Sequence, residues 1–139
     1  DNVDEFKNKY DEFIKLLQDS KNEVVCVIVN IDKFFNLLKN GKDEFNEIVK
    51  NSEKNKNCCF IIVESAVRLK NHQFDTWYKN YISGDTGIWV GNGIDSQYVI
   101  TAELNRKETI SNCGNSFGYA IKQGKVTLVK LIGIKAKEV

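Results

Sequence analysis

The chain reads as an α/β protein built on a mostly parallel sheet flanked by helices and closed by a C-terminal β-hairpin. Three observations predict this. Two short apolar runs, 24–29 and 58–63, have the length and continuity of strands covered on both faces, as parallel sheets require. Segments with apolar residues at three- and four-residue steps lie before and between them. Near the end, two strand-like segments flank Gln123-Gly124, the spacing of a hairpin.

Taken in order, residues 3–18 form an amphipathic helix. Val3, Phe6, Tyr10, Phe13, Ile14 and Leu17 fall on one stripe, and Lys7, Lys9, Asp11 and Glu12 occupy the other face. Asp1 or Asn2 is placed to cap its start. The run Val24-Val25-Cys26-Val27-Ile28-Val29 is β-branched and too short for a typical helix, so it reads as a buried strand. Phe34, Phe35, Leu37 and Leu38 predict a short helix stopped by Asn40-Gly41, and Phe45, Ile48 and Val49 predict a second over 42–54. After a turn at 54–57, Cys58 to Val63 is a second buried strand, followed by a helix starting at Ala66. Phe74, Trp77, Tyr78 and Tyr81 predict an aromatic-faced helix. A turn at Ser83-Gly84-Asp85 precedes a third strand, 87–91, and a short helix over 95–100. Residues 101–116 are polar and carry no clear period, and the hairpin occupies 117–122 and 125–134. With no proline, no repeat and no linker, the 139 residues read as one domain, 1–139.

Composition narrows the function. A net charge of +1, from 20 basic and 19 acidic residues, argues against a dedicated nucleic-acid module. No apolar run approaches the roughly 18–20 residues that span a bilayer, and no signal segment opens the chain. The chain begins with Asp1 in place of Met, which reads as a segment of something longer; a membrane anchor would lie outside it. Cys26, Cys58, Cys59 and Cys113 form neither a CxxC pair nor a Cys/His metal spacing, and read as buried free thiols of a reducing compartment. His72 is the only histidine, so no metal site of several imidazoles can be built.

Ligands of open parallel sheets collect at the C-terminal ends of strands. Those ends carry Asn30 and Asp32, then Glu64 and Ser65, then Asn92 and Asp95. An apolar strand ending in Asp is the pattern of a Walker B motif, whose carboxylate helps to hold Mg²⁺ near nucleotide phosphates. The same residues have a plainer reading, as caps of the helices that follow. No GxxxxGK[ST] loop occurs, so no backbone cradle and lysine are provided for a triphosphate. Lys33 stands where a hydrolysing site needs a carboxylate to orient water. No nucleophile elbow or Cys–His pair is present, and no catalytic residue is assigned. Trp77, Tyr78, Tyr81 and Trp89 read first as core aromatics and second, where exposed, as a partner-binding patch for a helical segment.

The order of these motifs resembles the C-terminal two thirds of an FtsK/SpoIIIE-type ATPase domain. Residues 3–18 are similar to the helix before the Walker B strand. Val27-Ile28-Val29-Asn30-Ile31-Asp32-Lys33-Phe34-Phe35-Asn36-Leu37 resembles the Walker B segment, with Asp32 matching the metal-associated Asp and Lys33 departing from the Glu. Cys59-Phe60-Ile61-Ile62-Val63-Glu64-Ser65 is similar to the strand that ends in Thr-Gln, and Glu64 and Ser65 depart from both. Gly87-Ile88-Trp89-Val90 with Ile94-Asp95-Ser96-Gln97 resembles a later strand and its Asp-Ser element, and Phe117 to Gly133 resembles the closing hairpin.

This resemblance implies a RecA-like, P-loop NTPase-type fold with its Walker A part absent, and Asp32, Lys33, Glu64 and Ser65 as the remnant of a nucleotide site. Within the family it points to the last, degenerate ATPase module of type VII secretion coupling proteins. The implied parent is a membrane protein with tandem modules on the cytoplasmic side, using Mg-ATP. The segment itself implies no cofactor and no membrane contact. Its partners would be secreted protein substrates and neighbouring modules, and its role recognition or regulation without turnover. Two alternatives stay open: a fragment of an active DNA- or protein-translocating ATPase whose Walker A loop lies upstream, and an unrelated α/β protein-binding domain.

Overall fold

The computed structural model describes residues 3–19, 21, 23–56, 58–104 and 116–132. The chain forms two compact units, Asp1–Ile82 and Ser83–Val139.

The first unit contains α1 (Val3–Gln18), β1 (Val24–Val29), α2 (Ile31–Leu37), α3 (Gly41–Asn55), β2 (Cys58–Val63), α4 (Ala66–Asn71) and α5 (Thr76–Tyr81). β1 and β2 pair in parallel, with Val24 opposite Cys58 and Val29 opposite Val63. Parallel neighbours need a crossover, and α2 with α3 supply it. The even positions of both strands turn inward: Val24, Cys26, Ile28, Cys58, Phe60 and Ile62 pack into a core with Leu17, Ile31, Phe35, Leu38, Phe45, Ile48, Val49 and Trp77. Phe35, Phe45 and Trp77 form its centre, with ring centroids 5.6–5.8 Å apart in edge-to-face and tilted contacts. Ser52 is buried in mid-helix and donates its hydroxyl to the Ile48 carbonyl at 2.6 Å, so its burial leaves no orphaned group. α3 ends on Lys56, whose left-handed backbone (φ 55°) returns an N–H to the Ser52 carbonyl.

The odd positions of the same strands correct one expectation. Val25, Val27, Val29, Ile61 and Val63 are 46–67% exposed, and Cys59 is exposed beside them. The sheet is thus covered on one face among the described residues. A β-branched run reports that a residue suits a pleated strand; it does not report whether a second layer of helices arrives.

The second unit holds β3 (Gly87–Val90), β4 (Phe117–Lys122) and β5 (Lys125–Lys130), an antiparallel sheet in the order β3-β4-β5. A mostly parallel sheet is therefore not what the described strands make: β3 joins the terminal hairpin in place of a parallel ladder. Ile94, Tyr119 and Ile121 are its buried centre, with Trp89, Ile100, Phe117 and Val126 around them. Gln123 (φ 52°) and Gly124 (φ 77°) both lie in the left-handed region, the type I′ geometry that suits the twist of a two-residue hairpin. A single 3₁₀ turn, Ile94–Ser96, replaces the helix expected over 95–100. The cause is Gln97. Its side-chain oxygen accepts from the N–H of Val99 and of Ile100, both at 2.7 Å, and its amide donates to the Ile100 carbonyl at 2.7 Å. The side chain takes the bonds a helix would have used. The residues 105–115, with Cys113, and the hairpin's expected extension to 133–134 lie outside the described residues.

Candidate functional site

The two parallel strands end side by side, and Asn30, Asp32, Lys33, Glu64 and Ser65 follow them there, whereas Asn92 and Asp95, expected at a third strand end, belong to the second unit. β1 runs into Asn30, whose left-handed backbone (φ 63°) turns the chain into α2. Its side chain accepts from the Lys33 N–H at 3.2 Å, and its own N–H donates to the Val63 carbonyl at 3.2 Å. At the end of β2, the Glu64 side chain is only 5% exposed. One of its oxygens accepts from the Ile31 N–H at 3.2 Å and the other from the Ser65 N–H at 2.8 Å. Ser65 in turn caps α4 through a 3.4 Å bond from the Arg68 N–H. The first amides of α2 and α4 are the donors a phosphate would need. Here side chains of the chain itself accept from four of them: Asn30 and Ser65 cap α2 and α4, Glu64 holds the amides of Ile31 and Ser65, and Asp32 caps neither helix. Lys33 projects outward, and Asp32 is 55% exposed on its side chain.

Asp32 has a partner that spacing did not suggest. Its Oδ1 lies 3.2 Å from Nε2 of His72, whose side chain is only 4% exposed. That contact has the distance of an ion pair without hydrogen-bond alignment, so Nε2 is left unsatisfied. The other ring nitrogen, Nδ1, lies 2.7 Å from Oδ2 of Asp75. With Nδ1–H donating to Asp75, Nε2 faces the Asp32 carboxylate attractively only when the ring carries its second proton. Asp75 also accepts from Lys42 Nζ at 2.8 Å and from Trp77 Nε1 at 3.3 Å. Burial pushes the Asp75 carboxyl up, but the hydrogen bonds from Lys42 and His72 outweigh it and hold the group below its usual range. The result is a run of polar contacts, Asp32–His72–Asp75–Lys42, that links the start of α2 and of α3 to the turn between α4 and α5. From sequence, lone His72 argues only against a metal site of several imidazoles. The signal for its role was His-x-x-Asp, three residues apart, just ahead of an aromatic helix.

This run resembles part of a catalytic relay, but no described nucleophile adjoins Nε2, whose neighbour is a carboxylate. Among the described residues, no group of three or more His, Cys, Asp or Glu side chains could hold a metal ion.

The aromatic candidates separate. Trp77 is 1% exposed and belongs to the core, so no partner can reach it. Tyr78 and Tyr81 are half-buried against the same core, and burial pushes the Tyr78 hydroxyl up. Trp89 belongs to the second unit, where its indole N–H donates to the Asn92 carbonyl at 3.0 Å. The four do not form one patch within either unit. Phe74, assigned to the same helix face, precedes α5 and is 75% exposed, with Lys79 Nζ 5.5 Å from its ring centre.

A groove of about 850 Å³ opens elsewhere, between α1, α2 and β1. Phe6, Phe13, Phe34 and Leu37 line it together with residues 26–30, and Lys33 is its one basic or acidic lining residue. No described helix is long and apolar enough to cross a membrane. Comparison with protein-family models, with curated proteins and with solved structures finds no match in any of the three.

Proposed function

We propose that this chain is a degenerate ATPase-like module of the FtsK/SpoIIIE type, in which a RecA-like core has kept its Walker B and neighbouring strands without the phosphate loop. In this reading it acts as the last module of an EssC-type coupling protein of type VII secretion. It recognises secreted protein substrates or regulates neighbouring ATPase modules on the cytoplasmic side of the membrane, and does not turn over ATP. One observation carries the proposal. Two parallel strands joined by a helical crossover end side by side, with Asp32 in the first turn of the helix after one and Glu64 directly after the other, while nearby amides are bonded to Asn30, Glu64 and Ser65. That is the arrangement expected of a nucleotide scaffold whose phosphate contacts have been replaced by internal ones.

Thermal unfolding with and without millimolar Mg-ATP tests the reading. A ligand at a hundred times its Kd stabilises by about 2.7 kcal/mol, which moves the midpoint by many degrees in a unit of this size. We expect no shift, together with binding to a type VII substrate. A shift of several degrees that disappears in Asp32→Ala would instead identify a working nucleotide site.

A second reading, an unrelated α/β protein-binding domain, is favoured by the pairing of β3. In a RecA-like sheet a later strand extends the parallel ladder, whereas β3 pairs antiparallel with β4. Here Asp32 is only a residue of the first turn of α2.

A further inference from the structure

His72 carries an unanswered ring nitrogen. Its side chain is 4% exposed, and Nε2 is buried without a hydrogen-bond partner among the described residues. Buried polar atoms are nearly always satisfied, so an orphan of this kind points to a ligand. The other nitrogen fixes the tautomer. Nδ1 lies 2.7 Å from Asp75 Oδ2, and an ionised carboxylate only accepts, so Nδ1 carries the hydrogen. Asp75 is itself held by Lys42 Nζ and Trp77 Nε1. The lone pair of the neutral ring is thereby placed on Nε2, on the side of Asp32. Histidines that ligate metals are oriented in this way, with the far N–H on a carboxylate that raises the basicity of the ligating nitrogen.

We infer that His72 Nε2 and the Asp32 carboxylate together hold a divalent cation of the zinc type, just past the C-terminal end of β1. Oδ1 of Asp32 lies 3.2 Å from Nε2, and no lysine or arginine pairs with Asp32 among the described residues. Two lone pairs at that distance repel unless a cation lies between them. A proton would need Nε2–H aimed at the oxygen, an alignment this pair lacks. A metal ion sits off the line joining its ligands. With bonds of about 2.0–2.2 Å to nitrogen and oxygen, two adjacent ligands of a tetrahedral or octahedral ion stand roughly 3–3.5 Å apart. The 3.2 Å separation falls in that range. An imidazole with a carboxylate suits Zn²⁺, whereas Mg²⁺ prefers an all-oxygen shell. No third His, Cys, Asp or Glu joins the pair among the described residues, so water fills the other positions and the ion exchanges readily. Solvent reaches it past Asp32, whose side chain is 55% exposed. The cation links the first turn of α2 to the end of α4. The inference does not depend on the proposed nucleotide ancestry: the site uses a histidine from outside the strand ends and needs no phosphate.

The chain has a single histidine, so one set of imidazole signals reports the site. Proton–nitrogen correlation spectra of the full chain, labelled with nitrogen-15 and held at neutral pH, follow that ring as Zn²⁺ is added. Sub-millimolar Zn²⁺ should shift the Nε2 resonance, and the same concentration of Mg²⁺ should not. Thiols also take zinc, but only ligation at the ring moves these nitrogens. Asp32→Asn alters an exposed side chain and should leave the fold intact. It should weaken the zinc response by roughly tenfold or more, at least the cost of losing an outer hydrogen-bond partner of a ligand. A ring unchanged at millimolar Zn²⁺ overturns the inference, as does undiminished binding in Asp32→Asn. A ring that keeps a proton on Nε2 in millimolar Zn²⁺ makes the contact an ion pair and overturns it equally.

Discussion

Replacing Asp75 by alanine removes one acceptor from three donors, and the cost can be worked donor by donor. The His72 ring is the largest contribution: its side chain is 4% exposed, and a buried N–H left without an acceptor costs about 1–3 kcal/mol. Lys42 is 48% exposed, so its ion pair contributes only about 0.2–1 kcal/mol. The Trp77 bond, at 3.3 Å, contributes on the order of 0.5–1 kcal/mol. Asp75→Ala should therefore destabilise the first unit by about 2–5 kcal/mol. Asp75→Asn keeps one acceptor oxygen and should cost less. Urea unfolding followed by tryptophan fluorescence in a Trp89→Phe background makes the buried Trp77 the reporter of this unit alone. The pH dependence supplies a second readout. The Asp75 carboxyl is held below its unfolded value of about 3.9, so its contribution is complete above that value. It is lost as pH falls through the lower folded-state value. The acid limb of the stability profile should thus be shallower in Asp75→Asn. A cost below about 0.5 kcal/mol for Asp75→Ala, or an unchanged acid limb in the Asn variant, would refute the view that this carboxylate organises the cluster.

Two further outcomes follow from packing and exposure. A Cβ on Gly118 would lie 2.6 Å from the Trp89 carbonyl oxygen, so Gly118→Ala should destabilise the second unit by about 1–3 kcal/mol, read from Trp89 fluorescence in urea. Iodoacetamide at mildly alkaline pH, with peptide mapping, should label exposed Cys59 well before Cys26, whose thiol is pushed up to about 11 by burial and by the neighbouring Cys58. Equal labelling rates for the two would contradict the one-sided sheet.

The strand-end residues show how far a single sequence carries a site. An apolar run followed by Asn30, Ile31 and Asp32 announced that polar side chains stand at the C-terminal end of a strand, and Glu64-Ser65 announced the same for its neighbour. Strand spacing could not say where each carboxylate points. Glu64 turns back to the amides of Ile31 and Ser65, and Asp32 turns to a histidine 40 residues later. Such choices depend on which donors the fold brings within about 3 Å, a property of the packed chain alone. The aromatic group around Trp77 divides for the same reason. Helical spacing placed Trp77, Tyr78 and Tyr81 on one element, but only the position of α5 against Phe35 and Phe45 encloses the indole.

What the linear chain determined by itself is the run of local elements: helices from apolar steps of three and four, strands from β-branched runs, and the hairpin from Gln123-Gly124. These follow from short-range sterics and burial periodicity, which neighbouring residues express directly. The tertiary structure alone decided that β1 and β2 stand as a parallel pair with helices, among the described residues, on one face. It also decided that β3 leaves them for the hairpin, and that His72 joins Asp32 to Asp75. Strand pairing and side-chain partnership are contacts between distant segments, and their energy depends on where the whole chain has closed.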